Sequence, residues 1–255
     1  MTAEGPPGSG TSRGAAIVTG AARGIGHAVA LALSASGHHV VLVDPDPAVG
    51  DVADACGGDA VVGDAADAAT IDAAVAVAQR WGGLRLAVNN AGLARHGALA
   101  TLADEDIDRM WRVNVRAAIL LSRAAFRVMP GLGGGTLVNI VSTAALRGEA
   151  GEATYCATKF ALRGLTESLC EEGRPLGIRV VGVYPAGVDT SFWTDAVRGG
   201  YPGDTTNFLR PEHVAAAVVA VAGLPAGVGV ETIVLRHPHD ADVDRIARKT
   251  AAYAG

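Results

Sequence analysis

The chain has 255 residues, of which the hydrophobic set AVILMFWYC supplies 49% and DEKR 18%, a balance too apolar for a disordered polymer and ordinary for an α/β globule. Its 21 basic and 26 acidic residues give a net charge of -5, which excludes a basic footprint for nucleic acid or an anionic membrane surface. Three cysteines, Cys56, Cys156 and Cys170, form an odd set without CxxC spacing, so neither a disulfide framework nor a metal site is expected, and a reducing cytoplasm is.

Residues 1–14 are rich in Gly, Pro, Ser and Thr and lack the apolar run of a signal peptide, which reads as a flexible leader. Seven β-branched or apolar runs follow: Ala15 to Thr19, His39 to Val43, Ala60 to Gly63, Leu84 to Val88, Leu137 to Val141, Ile178 to Val183 and Glu231 to Leu235. Little polar alternation within them suits strands covered on both faces, and the alanine-rich segments between are long enough for crossover helices. The expected fold class is therefore α/β, a doubly wound parallel sheet of about seven strands with helices on both faces, in a single domain over 15–255. Residues 188–210 break the rhythm and read as an inserted lid. The uncharged run from Val214 to Val230 is cut by Gly223, Pro225, Gly227 and Gly229, so it predicts a helix end and a new strand, not a membrane span.

Between the first strand and the first helix lies Thr19-Gly20-Ala21-Ala22-Arg23-Gly24-Ile25-Gly26. A glycine-rich turn at a helix N-terminus lets backbone N–H groups approach a pyrophosphate, so Gly20, Arg23, Gly24, Ile25 and Gly26 are candidate dinucleotide contacts. Asp44 closes the second strand, where a carboxylate binds ribose hydroxyls and repels a 2'-phosphate. Arg23 pulls the other way, since a guanidinium binds that phosphate. The carboxylate weighs more, and the expected cofactor is NAD rather than NADP.

Further along, Asn89-Asn90-Ala91-Gly92 follows the fourth strand, Asn114 lies in the next helix, and Ser142 ends the fifth strand 13 residues before Tyr155. Tyr155 and Lys159 are i and i+4 on a predicted helix, hence on one face, where an ammonium beside a phenol favours phenolate. The expected chemistry has Tyr155 as general acid/base, Lys159 as its electrostatic tuner and Ser142 as hydrogen-bonding anchor for the reacting oxygen. No G-x-S-x-G surrounds Ser142, so a serine nucleophile is not expected.

TGxxxGxG, NNAG, the serine and YxxxK, in this order over roughly Ala15 to Leu235, resemble the short-chain dehydrogenase/reductase family. The resemblance implies a Rossmann fold, a water-mediated proton relay through Asn114 to Lys159, and adenine contacts from Asp64 with its neighbour Ala65. It also implies that Asn90, Ala91, Gly92, Tyr155 and Lys159 meet the cofactor. Tyr184-Pro185-Ala186-Gly187-Val188-Asp189-Thr190 is similar to the family's PGxVxT segment, which assigns Pro185, Val188 and Thr190 to the nicotinamide end. Ala186 stands where the family has Gly, which puts the local turn geometry in question. Dimers or tetramers are implied too, with Ala117, Ala118, Ala161 and Leu165 permitting close helix approach.

Four aromatic residues, Phe192, Trp193, Tyr201 and Phe208, fall in the lid and point to a mainly apolar small-molecule substrate, contacted by Phe192 and Trp193 together with Ser142 and Tyr155. One polar anchor is expected among Arg95, His96, Arg147 and Glu149. His38, His39, His237 and His239 read as surface histidines, and Trp81 and Trp111 as packing residues. In the tail over 236–255, Val243, Ile246, Thr250 and Tyr253 recur at helical spacing, which predicts a docked helix. The expected activity is NAD-dependent interconversion of a secondary alcohol and a ketone. An NADPH-dependent ketoreductase and a non-catalytic nucleotide-binding regulator are the alternatives.

Overall fold

The computed structural model describes residues 13–193 and 205–239. Most of the leader, the middle of the lid with Tyr201, and the tail stripe from Val243 to Tyr253 lie outside the described residues.

Seven strands, β1 (Ala15–Thr19), β2 (His39–Asp44), β3 (Asp59–Val62), β4 (Leu84–Asn89), β5 (Gly135–Ile140), β6 (Ile178–Pro185) and β7 (Thr232–Leu235), form one sheet in the order β3-β2-β1-β4-β5-β6-β7. Every pairing is parallel. The expected strands recur, with no end moved by more than two residues and β1 unchanged. The pattern of cover explains their composition: β1 is buried at all five positions, whereas the edge strands β3 and β7 alternate between exposed and half-buried residues.

Around the sheet lie α1 (Gly24–Ala35), α2 (Val49–Cys56), α3 (Ala68–Gln79), α4 (Asp104–Trp111), α5 (Ala117–Val128), α6 (Ala153–Gly173) and α7 (Pro211–Ala222). Successive residues of β1 serve opposite faces. Ala16 and Val18 join the core built with Val29 and Leu33 of α1 and Val214 and Val218 of α7, while Ala15 and Ile17 join Ile71 of α3 and Leu121 of α5 on the other side. Strand order reverses at β1, with β2 on one side and β4 on the other, and a ligand crevice is expected at the strands' C-terminal ends there.

Three packing expectations are corrected. His38 is buried, and His39 stacks on Trp81 with ring centroids 3.7 Å apart while its Nε2 lies 2.7 Å from the Asp59 carboxylate. His38 is therefore a buried group and His39 a half-buried one held between Trp81 and Asp59. Trp111 is 42% exposed, since the chain enters a π-helical turn, Arg112–Arg116, directly after it. Ala117 and Ala118 are buried in the chain's own core and are not available to a partner.

Candidate active site

The glycine turn is held from behind by the segment after β4. Thr19 Oγ1 accepts from the backbone N–H groups of Asn90 and Ala91, both at 3.1 Å, and Asn90 Nδ2 donates to the carbonyls of Thr19 and Gly20, both at 2.9 Å. This closeness dictates the glycines. Gly20 has φ +67°, and a Cβ there would stand 2.9 Å from Ala91 Cα; a Cβ on Gly26 would stand 2.0 Å from the Gly20 carbonyl oxygen. The turn feeds α1, whose first turn is capped by no side chain, so its N–H dipoles face the crevice.

Asp44, at the end of β2, accepts from Ala22 N at 3.1 Å and from Asp46 N at 2.9 Å, which aims its carboxylate beside the glycine turn. A cleft of about 920 Å³ runs from Arg23 and Asp44 past Asn90 and Gly92 to Ser142 and Tyr155. Gly20, Gly24, Ile25, Ala91, Lys159, Pro185, Val188 and Thr190 line it as well. Three expected contacts do not: Gly26 is packed under Gly20, Ala65 is buried, and Asp64 is engaged elsewhere. Asp64 accepts from Ala66 N at 2.8 Å and from Arg112 Nε at 3.0 Å, an ion pair with the helix that follows the cleft.

At the other end, Ala186 is held by a hydrogen bond from its N–H to the Leu235 carbonyl, 2.9 Å. A bridge between Val188 and Leu209 fixes the following strand-like segment, so alanine in place of glycine leaves it docked on the sheet. Thr190 lies against the glycine turn, its Cγ2 being 3.3 Å from where a Gly24 Cβ would stand.

Ser142 and Tyr155 line the same end of the cleft, and Ser142 Oγ accepts from Ala144 N at 3.1 Å. Burial pushes the Tyr155 phenol above its ordinary range, the Ser142 hydrogen bond opposes that rise, and the charge of Glu152 adds to it. Lys159 Nζ donates to the Ile140 carbonyl at 3.1 Å, sits 5.7 Å from the centre of the Tyr155 ring, and is itself pulled down by burial to about 8.

Asn114 occupies the π-helical turn and is buried. Its amide brackets Leu93, accepting from Leu93 N at 2.8 Å and donating to Leu93 O at 2.9 Å, and it also donates to Thr158 Oγ1 at 2.9 Å. Asn114 Oδ1 and Lys159 Nζ both border Gly92, at 3.5 and 3.6 Å from where its Cβ would stand.

The substrate end is two-sided. Phe192 and Trp193 pack edge to face at 5.7 Å, with Phe192 5.9 Å from the Tyr155 ring and Phe208 5.1 Å from Trp193. Opposite them stand the pairs Arg147 with Glu149 at 2.5 Å and Arg95 with Asp106 at 3.4 Å. Glu152 lines the cleft with them and was not singled out from the sequence, although its place just before the helix that carries Tyr155 was a usable signal. Arg109, Val113 and Arg236 are further lining residues that no motif marked. The pocket is thus more charged than the lid's aromatic content implied. Among the described residues no helix is long and apolar enough to cross a membrane, and no group of three or more His, Cys, Asp or Glu is placed to hold a metal.

A family model described as short chain dehydrogenase matches residues 14–199. The chain is 32% identical over 243 residues to a sepiapterin reductase of Chlorobaculum tepidum, covering 89% of this chain and 97% of that protein. It is 36% identical over 211 residues to a sorbitol dehydrogenase of Cereibacter sphaeroides, covering 80% and 82%. A short chain dehydrogenase from Burkholderia cenocepacia, solved in complex with NADP, superposes with a TM-score of 0.78 at 33% identity, covering 89% of this chain and 97% of that one.

Proposed function

The chain belongs to the short-chain dehydrogenase family, and on that premise we propose that it interconverts a secondary alcohol and a ketone on a small molecule, with NAD(H) as cofactor and Tyr155 as the acid/base. The observation that carries this reading is that Ser142, Tyr155 and Lys159 line one cleft with the glycine turn and Asp44. A nucleotide-binding regulator has no use for that serine, phenol and ammonium beside the nucleotide.

The residues fit a dinucleotide. The uncapped start of α1 faces the position of a pyrophosphate, Asp44 stands where ribose hydroxyls would be read, and Gly92, Pro185, Val188 and Thr190 border the end nearest Tyr155. When bound, the nicotinamide supplies the hydride acceptor for oxidation or the donor for reduction. Tyr155 takes the proton from the alcohol oxygen in oxidation and returns it to the forming alkoxide in reduction. Ser142 shares a hydrogen bond with that same oxygen, which limits charge build-up on it. Lys159 and Asn114, which both border Gly92, would relay a proton to or from Tyr155 through water.

The relative from Burkholderia cenocepacia was solved with NADP, so likeness does not choose the cofactor. Asp44 supports NAD, because its carboxylate would meet a 2'-phosphate as a like charge, and it weighs against Arg23 at the same end of the cleft. The test is a panel of secondary alcohols with NAD and with NADP, followed by nicotinamide absorbance. Turnover faster with NAD is expected, and no turnover with either cofactor across the panel would contradict the reading.

A further inference from the structure

Resting on the dehydrogenase reading above, we propose that Glu152 is a specificity residue that accepts a hydrogen bond from a second substrate hydroxyl, on a carbon adjacent to the reacting one, and that His96 is its positioning residue.

Glu152 is the N-cap residue of α6, its carbonyl accepting from Cys156 N at 2.8 Å, and its carboxylate stands close enough to the Tyr155 phenol for its charge to act on it. It lines the cleft with only 21% of its side chain exposed. The neighbouring charges are matched with one another, Arg147 with Glu149 and Arg95 with Asp106. Among the described residues the group that ion-pair geometry brings to Glu152 is His96, whose Nε2 is 3.7 Å from Oε1.

That distance is too long for a hydrogen bond, and Nε2 is buried with no hydrogen-bond partner. Burial also lowers the His96 pKa, so the imidazole backs the carboxylate as a neutral ring. It is wedged there by Tyr155 and Trp193, with ring centroids 6.2 and 5.9 Å away. A half-desolvated carboxylate without a matching cation is costly, and a donor supplied by the ligand relieves that cost. A hydroxyl beside the reacting carbon supplies it; an alkyl group in the same place strips water from the carboxylate and returns nothing. The aromatic wall of Phe192 and Trp193 then holds the carbon chain, while the α6 side reads the second oxygen.

The test compares kcat/KM for two matched pairs, 2,3-butanediol against 2-butanol and trans-1,2-cyclohexanediol against cyclohexanol, with saturating NAD. Wild type is expected to prefer the diols. Glu152→Ala should lower the diol-to-monoalcohol ratio by roughly tenfold or more, and Glu152→Gln by less because its amide oxygen still accepts. His96→Ala should raise KM for the diols more than it lowers kcat. Retained NADH binding in each variant shows that it is folded. A ratio in both Glu152 variants within about twofold of wild type overturns the proposal while leaving the dehydrogenase reading intact, and so does a wild-type preference for 3-amino-2-butanol over the diol, which would assign the carboxylate to an ammonium group. Oxidation of none of these alcohols by wild type overturns the dehydrogenase reading and this inference with it.

Discussion

Asn114 and Leu93 exchange two hydrogen bonds, side-chain oxygen to Leu93 N and side-chain nitrogen to Leu93 O, as a paired strand would. The π-helical turn is thereby tied to the loop that carries Gly92, and through Thr158 to the helix that carries Tyr155 and Lys159. Asn114→Ala leaves both Leu93 groups and the Thr158 hydroxyl short of a partner, which should cost about 1–3 kcal/mol of stability. Thermal unfolding should show a Tm lowered by several degrees together with a fall in kcat. An unchanged Tm would mean that water replaces the amide.

Tyr155 is held protonated by burial and by the charge of Glu152, so alcohol oxidation, which needs the phenolate, should increase with pH through the alkaline range. Glu152→Gln removes a charge that raises the phenol's pKa. The rise in the pH profile of kcat should therefore move to lower pH in that variant. A shift in the opposite direction, or none, would show that Glu152 does not act on the phenol.

Asp44 accepts two backbone N–H groups beside the glycine turn, which fixes its carboxylate in place. Wild type should bind NADH at least about tenfold more tightly than NADPH, and Asp44→Ser should narrow that gap by admitting the 2'-phosphate near Arg23. Titration of nicotinamide fluorescence with each cofactor checks both statements.

The seven strands were legible because central parallel strands are apolar on both faces, and the motifs sit at strand ends or on one helix face. What stayed hidden were contacts made between distant segments. Nothing local in Asn90 says that its side chain will hold Thr19 and Gly20, or that Asn89, Asn139 and Thr166 will join in a buried chain of hydrogen bonds at 2.8 Å. The Asp64–Arg112 ion pair joins residues 48 apart in sequence and could not be read from either segment alone. One helical turn places the Lys159 ammonium near the Tyr155 phenol, but desolvation of both groups is set by the whole fold. The lid's aromatic content was plain in the sequence, whereas the charged wall opposite comes from two separate loops and the start of α6.

With Ala117 and Ala118 buried, larger exposed side chains are the candidates for a contact between copies. Trp111, Ile119 and Phe160 are each about two-fifths exposed on the helices around Asn114 and Tyr155. Light scattering at micromolar concentration should give a dimeric or tetrameric mass, and Phe160→Glu should lower it by burying a charge in the contact. A monomeric wild type would contradict this.

The central claim, proton transfer by Tyr155, is tested most directly by Tyr155→Phe, which removes one oxygen and leaves the ring that packs on Phe192. Steady-state oxidation and NADH binding should be measured on the same preparation. The account predicts turnover reduced by about a thousandfold or more with NADH binding retained; a variant that keeps near-wild-type kcat would contradict it.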